Sequence, residues 1–250
     1  MSQSDDARPV ALITGAAKRV GAVIARTLHA AGYDLALHHR NSQVEAVALQ
    51  NELEQARPGS VLVLQADLVE FDRLPELVAK TIGRFGRLDA LVNNASAFYA
   101  TPIGLVLPSQ WDDLFAANAR APFFLAQAAT PHLRNSQGAI VNLLDIYAER
   151  PLKNHTLYCM AKAALAMMTV SLARELAPEV RVNGVAPGAV LWPEAGKAPA
   201  EQQALIEKTP LKRAGTPEDV AEAVRWLLQD ARYSTGQIIR VDGGRALTWA

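Results

Sequence analysis

A tyrosine and a lysine stand four residues apart in Tyr158-Cys159-Met160-Ala161-Lys162. On a helix that spacing places both side chains on one face. A phenol titrating near pH 10 is a poor proton donor–acceptor at neutral pH. An ammonium beside it favours the phenolate and is expected to lower its pKa. Alone, the pair is as readily two residues of an ordinary helix. Its weight comes from what accompanies it. Asp145, thirteen residues before the tyrosine, closes an apolar run. A carboxyl there can act as an acid, relay a proton or pair with a cationic heterocycle; its plainer role is a strand-end cap. Asn93-Asn94-Ala95-Ser96, Asn118, Asn183, Pro187-Gly188 and Asp242-Gly243-Gly244 complete the set.

A second group of residues suits a phosphate. Thr14-Gly15-Ala16-Ala17-Lys18-Arg19-Val20-Gly21 joins an apolar run to a helical pattern. A dinucleotide pyrophosphate needs a tight turn, close backbone approach and the positive end of a helix. Gly15 can make the turn and Gly21 can let the helix approach the sheet. Arg19 stands where a middle glycine is usual. The second apolar run ends Leu37-His38-His39-Arg40-Asn41-Ser42 and carries no acid after Asp34. NAD sites usually end that strand with a carboxylate on the ribose 2′-hydroxyl. A carboxylate would repel a 2′-phosphate, whereas Arg40, Arg19 and Lys18 can pair with one. NADPH is therefore expected over NADH. The plainer alternative for Arg40 is a solvated loop charge.

These residues need elements to hold them. Expected strands are 10–14, 34–38, 61–65, 88–92, 139–144, 181–186 and 237–241, short and rich in Val, Ile and Leu, as strands buried on both faces are. Helical spacing separates them, as at Val20, Val23, Ile24, Thr27 and Leu28, closed by Gly32 at an expected C-cap. The alternation predicts a doubly wound α/β fold: a mostly parallel sheet of about seven strands with helices on both faces. Residues 1–8 read as a solvated tail, and 9–250 as one domain. The proline-rich stretch 187–199 suggests a substrate lid near 188–209.

Half of the 250 residues are apolar, so a sizeable core is possible. The 25 basic and 25 acidic residues cancel, which disfavours broad binding to nucleic acid or an anionic membrane. No stretch is read as long and apolar enough to span a bilayer. Residues 1–8 lack a secretory signal's basic flank and apolar run. The single cysteine, Cys159, is expected to be a core thiol. A cytoplasmic protein is expected, with no metal.

The ordered motifs resemble the short-chain dehydrogenase/reductase family from residue 10 to the C-terminus. The resemblance implies that Tyr158 is the acid–base group and that Lys162 also holds the nicotinamide ribose. It implies that Asn118 supports a proton-relay water and that Asp67, with Leu68, lies by the adenine. It assigns the cofactor to Gly15, Lys18, Arg19, Val20, Gly21, His39, Arg40, Asn41, Ser42, Asn94, Ala95, Ser96, Pro187 and Gly188 as well. Most members carry a serine where this chain has Asp145. That departure, with Arg19 in the glycine turn, Asn93–Tyr99 and Val241–Thr248, is similar to the pteridine reductases. Phe98 would then stack on a pterin against the nicotinamide, with Arg19, Ser96, Asp145 and Tyr158 contacting the substrate. Pterins or folates are the implied substrates and a homotetramer the implied assembly, the family using the apolar run Ala161–Met168 in subunit contacts. Val190 lacks the threonine hydroxyl of many members and receives no role. Trp192 is either part of the lid or simple packing. The competing readings are a reductase of another carbonyl or imine, and a non-catalytic NADPH-binding protein, which would need none of the acid–base groups.

Overall fold

The structure, a computed structural model, describes residues 8–191 and 198–248. Seven strands, β1 (Val10–Ile13), β2 (Asp34–His39), β3 (Val61–Gln65), β4 (Ala90–Asn93), β5 (Ala139–Leu143), β6 (Arg181–Pro187) and β7 (Ile238–Val241), form one sheet in the order β3-β2-β1-β4-β5-β6-β7. Every neighbouring pair is parallel. The expected doubly wound architecture is present. Expected and observed strand ends differ by one or two residues, chiefly at β4, which begins at Ala90 instead of Leu88.

Parallel pairing requires crossovers, and helices supply them. They are α1 (Arg19–Ala30), α2 (Gln43–Ala56), α3 (Arg73–Phe85), α4 (Pro108–Phe115), α5 (Ala121–Ser136), α6 (Thr156–Leu176), α7 (Pro199–Glu207) and α8 (Pro217–Gln229). Helix α1 ends as its sequence predicts: Gly32 has φ +98°, and the Tyr33 amide returns to Leu28 O at 3.0 Å. Each strand feeds two cores. Ala11 and Ile13 face one beneath α1 and α8, while Val10 and Leu12 face the other beneath α3, α5 and α6. Fully buried leucines such as Leu12 and Leu35 anchor the two layers; truncating either to alanine would cost about 2–5 kcal/mol.

One expectation needs correction. Helix α6 is 21 residues long with a mean hydropathy of 1.4 in its most apolar window, so length and composition alone would allow it to span a bilayer. Its apolarity has another use here. Leu157, Tyr158, Ala161, Lys162, Leu165, Thr169, Ala173 and Leu176 recur every three or four residues and are buried, Leu157 and Tyr158 beside Leu114 of α4 and the later ones toward the sheet. Cys159 on the same helix is a buried free thiol, as expected.

The strand order reverses between β1 and β4. In such sheets ligands bind in the crevice outside the carboxyl ends of the strands at that point. The segments emerging there are Thr14-Gly15 after β1, Arg40 after β2, Asn94–Phe98 after β4, Leu144-Asp145 after β5 and Gly188 after β6. Of the lid segment, residues 192–197, including Trp192, and of the N-terminal tail, residues 1–7, lie outside the described residues. The C-terminal half of the lid segment is α7, which buries no side chain.

Candidate active site

The turn after β1 is built for close backbone approach. Gly15 has φ +62°, and a Cβ on it would lie 3.0 Å from Ala95 Cα. A Cβ on Gly21 would sit far inside contact distance of the Gly15 carbonyl. Both positions therefore need glycine. Arg19 adopts φ +56°, the left-handed region that costs an L-residue roughly 1–2 kcal/mol. That conformation is why a glycine is usual there. The turn is braced from β4. Thr14 Oγ1 accepts from the Asn94 and Ala95 amides, each at 3.0 Å, and Asn94 Nδ2 donates to the Thr14 and Gly15 carbonyls, each at 2.9 Å. Asn94 thus holds the turn through its own side chain. Beyond it, the first amides of α1 face the crevice with no intrahelical acceptor.

The end of β2 carries two buried histidines, each 2% exposed. His38 Nδ1 accepts from the Gly15 amide at 3.2 Å, and its Nε2 donates to Ala66 O at 3.1 Å. Burial pushes its pKa down to about 4. Neither ring nitrogen of His39 has a hydrogen-bond partner among the described residues. A buried polar ring without a partner is costly unless a ligand completes it. Arg40 and Asn41 are exposed next to it, and Ser42 is the N-cap residue of α2. Asp67 accepts from the Val69 amide at 3.0 Å, shaping the turn after β3, where Leu68 is buried. The glycine cradle, the helix terminus and the unpartnered His39 fit a dinucleotide.

The second half of the crevice is where β5 ends and α6 begins. Tyr158 Oη donates to Asp145 Oδ2 at 2.8 Å, and Asp145 Oδ1 accepts from the Tyr147 amide at 2.9 Å. Lys162, 2% exposed, donates to Leu143 O at 2.8 Å and lies 5.8 Å from the centre of the Tyr158 ring. Burial pushes the ammonium down to about 8, opposed by the Asp145 charge. Burial also pushes the Asp145 carboxyl up, against the Tyr147 amide, the Tyr158 hydroxyl and the Lys162 charge. The expected lowering of the tyrosine by the lysine is not found. Burial, then the charge and hydrogen bond of Asp145, hold the phenol well above its usual value, with a hydrogen bond to Ser96 pulling the other way. Tyr158 here keeps its proton and shares it with a carboxylate. A phenol held there is present as the protonated form at neutral pH, although a weaker acid than a free one.

Asn118 lies in a π-helical turn, Ala116–Arg120, between α4 and α5. Such a bulge re-aims side chains within a helix. Asn118 donates to Ala97 O and Leu114 O, each at 2.9 Å, and its Oδ1 accepts from Ser96 Oγ at 2.7 Å. Phe98, 45% exposed, lies edge-on to Tyr158 with ring centres 4.8 Å apart. His155 stacks on one of its faces, also at 4.8 Å. One face of Phe98 is therefore taken by His155.

Several motif residues serve the scaffold. Asn183 bonds Ser234 O and the Gln237 amide, away from the crevice. Asp242 accepts from the Gly244 and Ala246 amides, and a Cβ on Gly188 would meet its Cβ at 2.8 Å. Asp242 therefore shapes the wall behind Pro187-Gly188. Val190 is part of the core. Two residues of the crevice escaped the sequence reading, His38 and His155. For His38 a signal existed, a polar side chain ending the apolar run Leu35-Ala36-Leu37. His155 sits in a polar loop with nothing to mark it.

Comparison with known proteins agrees with this architecture. A family profile described as enoyl-(acyl carrier protein) reductase matches residues 15–246. Pteridine reductase 1 of Leishmania tarentolae is 39% identical over 283 aligned positions, which cover 97% of this chain and 98% of that protein. A 3-oxoacyl-(acyl-carrier-protein) reductase of Staphylococcus epidermidis is 34% identical over 238 positions, 94% of this chain and 97% of its own length.

Proposed function

The chain belongs to the short-chain dehydrogenase/reductase family, and on that premise we propose that it is an NADPH-dependent reductase of pterins, acting on dihydropterins or dihydrofolate to give the tetrahydro form. The observation that carries this reading is the 2.8 Å hydrogen bond from Tyr158 to Asp145. Reducing a C=N bond adds a hydride to carbon and a proton to nitrogen. When bound, the reduced nicotinamide supplies the hydride and leaves oxidised. Tyr158, kept protonated beside Asp145, delivers the proton to nitrogen and takes a replacement from solvent, with Asp145 as the carrier or as the partner of the ring's donor edge. Lys162, charged below about pH 8, balances the carboxylate. Its position also suits the nicotinamide ribose. The half-exposed Phe98 ring is a candidate stacking platform for a planar heterocycle.

NADPH is favoured over NADH because Lys18 and Arg19 lie where β1 runs into α1, Arg40 follows β2, and no carboxylate follows Asp34 in that strand. His39 is assigned to the same ribose region. Residues 9–250 are read as one reductase domain. Exposed Met160, Met167 and Val170 on α6 support its use as a subunit contact in a homotetramer. The second reading is reduction of a carbonyl carried on an acyl chain, favoured by the 3-oxoacyl-(acyl-carrier-protein) reductase among the relatives. Asp145 and Phe98 weigh against it, since a hydroxyl serves better to orient a ketone. The test is oxidation of NADPH by the purified protein with dihydrobiopterin, dihydrofolate, folate, a 3-oxoacyl thioester and a simple ketone. Turnover of the pterins well above the other substrates is expected. Turnover of the thioester alone would replace this reading with the second.

A further inference from the structure

We infer that His38 is a positioning residue for the dinucleotide, through the hydrogen bond its ring accepts from the Gly15 amide; the inference rests on reading the crevice as a dinucleotide site. The tautomer is dictated by the partners. A backbone amide can only donate and a carbonyl can only accept. Nδ1, 3.2 Å from Gly15 N, must therefore be bare, and Nε2, 3.1 Å from Ala66 O, must carry the proton. A protonated ring could not accept from Gly15. Burial holds the ring neutral, so this arrangement persists at neutral pH.

One imidazole thereby joins three chain segments at the mouth of the site. Its Nδ1 holds the turn after β1, its backbone belongs to β2, and its Nε2 holds the chain leaving β3 beside Asp67. The backbone of His38 takes part as well, since the Ala16 amide donates to its carbonyl at 2.8 Å. The amides of Gly15 and Ala16 are thus both engaged by His38. The pyrophosphate is left to the amides from Ala17 into the first turn of α1. With no ring acceptor, the Gly15 amide would turn toward the phosphates or lose its partner, and the positive φ of Gly15 would lose its tether. His38 touches neither cofactor nor substrate in this assignment. It acts through Gly15.

The experiment measures NADPH dissociation constants by calorimetry, with kcat and KM for NADPH on the best substrate, for the wild type and three variants. His38→Asn places an amide oxygen where Nδ1 stands and keeps the acceptor. His38→Gln reaches toward Ala66 but abandons the Gly15 amide, and His38→Leu loses both. The expected result is a rise of at least about tenfold in the dissociation constant and KM for Leu and Gln, with kcat at saturating NADPH within about twofold. Asn should stay within about threefold of wild type. If Leu fails to fold, the contrast of Gln with Asn decides alone. Equal affinities in Gln, Asn and wild type would overturn the role of His38 while leaving the cofactor reading intact. So would equal losses in Gln and Asn. A wild-type protein that bound neither NADPH nor NADH would overturn the cofactor reading, and this role with it.

Discussion

The two halves of the crevice treat buried titratable groups in opposite ways. At the end of β2, His38 is surrounded by backbone partners of fixed polarity, which admit one proton arrangement. At the end of β5, the Tyr158 phenol is hydrogen-bonded to the Asp145 carboxyl with the Lys162 charge close by, so the proton between phenol and carboxyl lies between two titratable groups. Both halves are buried, so burial is not what separates them. The difference lies in the partner. A backbone group cannot titrate, so a side chain tied to it becomes a rigid strut. A side chain tied to another titratable side chain becomes part of a shared proton store. The same crevice thus holds a half suited to positioning and a half suited to chemistry.

The sharpest way to break this contrast is at Tyr158. Tyr158→Phe keeps the ring but removes the shared proton, and turnover should fall by about 10²–10³-fold. Affinity for NADPH, measured by calorimetry, should survive. Near-normal turnover would remove the reaction centre from β5. Next in size is Asp145→Asn, which keeps shape and hydrogen bonding but cannot hold the proton. Pterin reduction should fall by about 10²-fold in kcat and kcat/KM together. A change confined to KM would make Asp145 a binding group. Asp145→Ser should also lose pterin reduction while sparing weak reduction of an activated ketone.

The rigid half makes a prediction in acid. The His38 pKa lies below its usual value of about 6.5, so the unfolded chain binds this proton more readily than the folded one. The stability from its neutral state is present above pH 6.5 and is lost as the pH falls toward 4. The loss should reach about 2 kcal/mol by pH 5. His29, buried and also pushed down by burial, shifts stability in the same direction. His39 and Asp67 perturb the His38 charge as well. Urea unfolding of wild type and His38→Asn across this range isolates the share of His38, since only the wild type should lose it. Parallel pH profiles for the two proteins would contradict the assignment. The smallest effect is expected at the exposed rim. Arg40→Ala should weaken NADPH about tenfold and leave NADH unchanged, as measured by dissociation constants. Equal weakening of both would make Arg40 a general phosphate contact.

Much of the frame was legible because it rests on short-range patterns. Apolar runs at Val10, Asp34, Val61, Ala139, Arg181 and Ile238 recur at strand length with helical spacing between them, and a parallel sheet follows from the alternation. Glycine at 15 and 21 announces the close turn. The Tyr158–Lys162 spacing announces a shared helix face, which α6 provides. Its apolarity is easily underestimated because the polar groups of Tyr158 and Lys162 interrupt the run without ending it.

What the amino-acid sequence determined by itself was the set of elements, their alternation and the residue types delivered to the carboxyl ends of the strands. Period and turn chemistry are local and survive reading in one dimension. What only the tertiary structure decided was which partner each polar group received. Asn94 went to the turn and Asp242 to its own loop, while Asn183 left the crevice altogether. Lys162 settled on a backbone carbonyl, and Asp145 took the phenol, raising a pKa that the spacing had suggested was lowered. Hydrogen-bond partners and burial depend on chain segments tens of residues apart meeting within about 3 Å, and no spacing along the chain encodes that meeting.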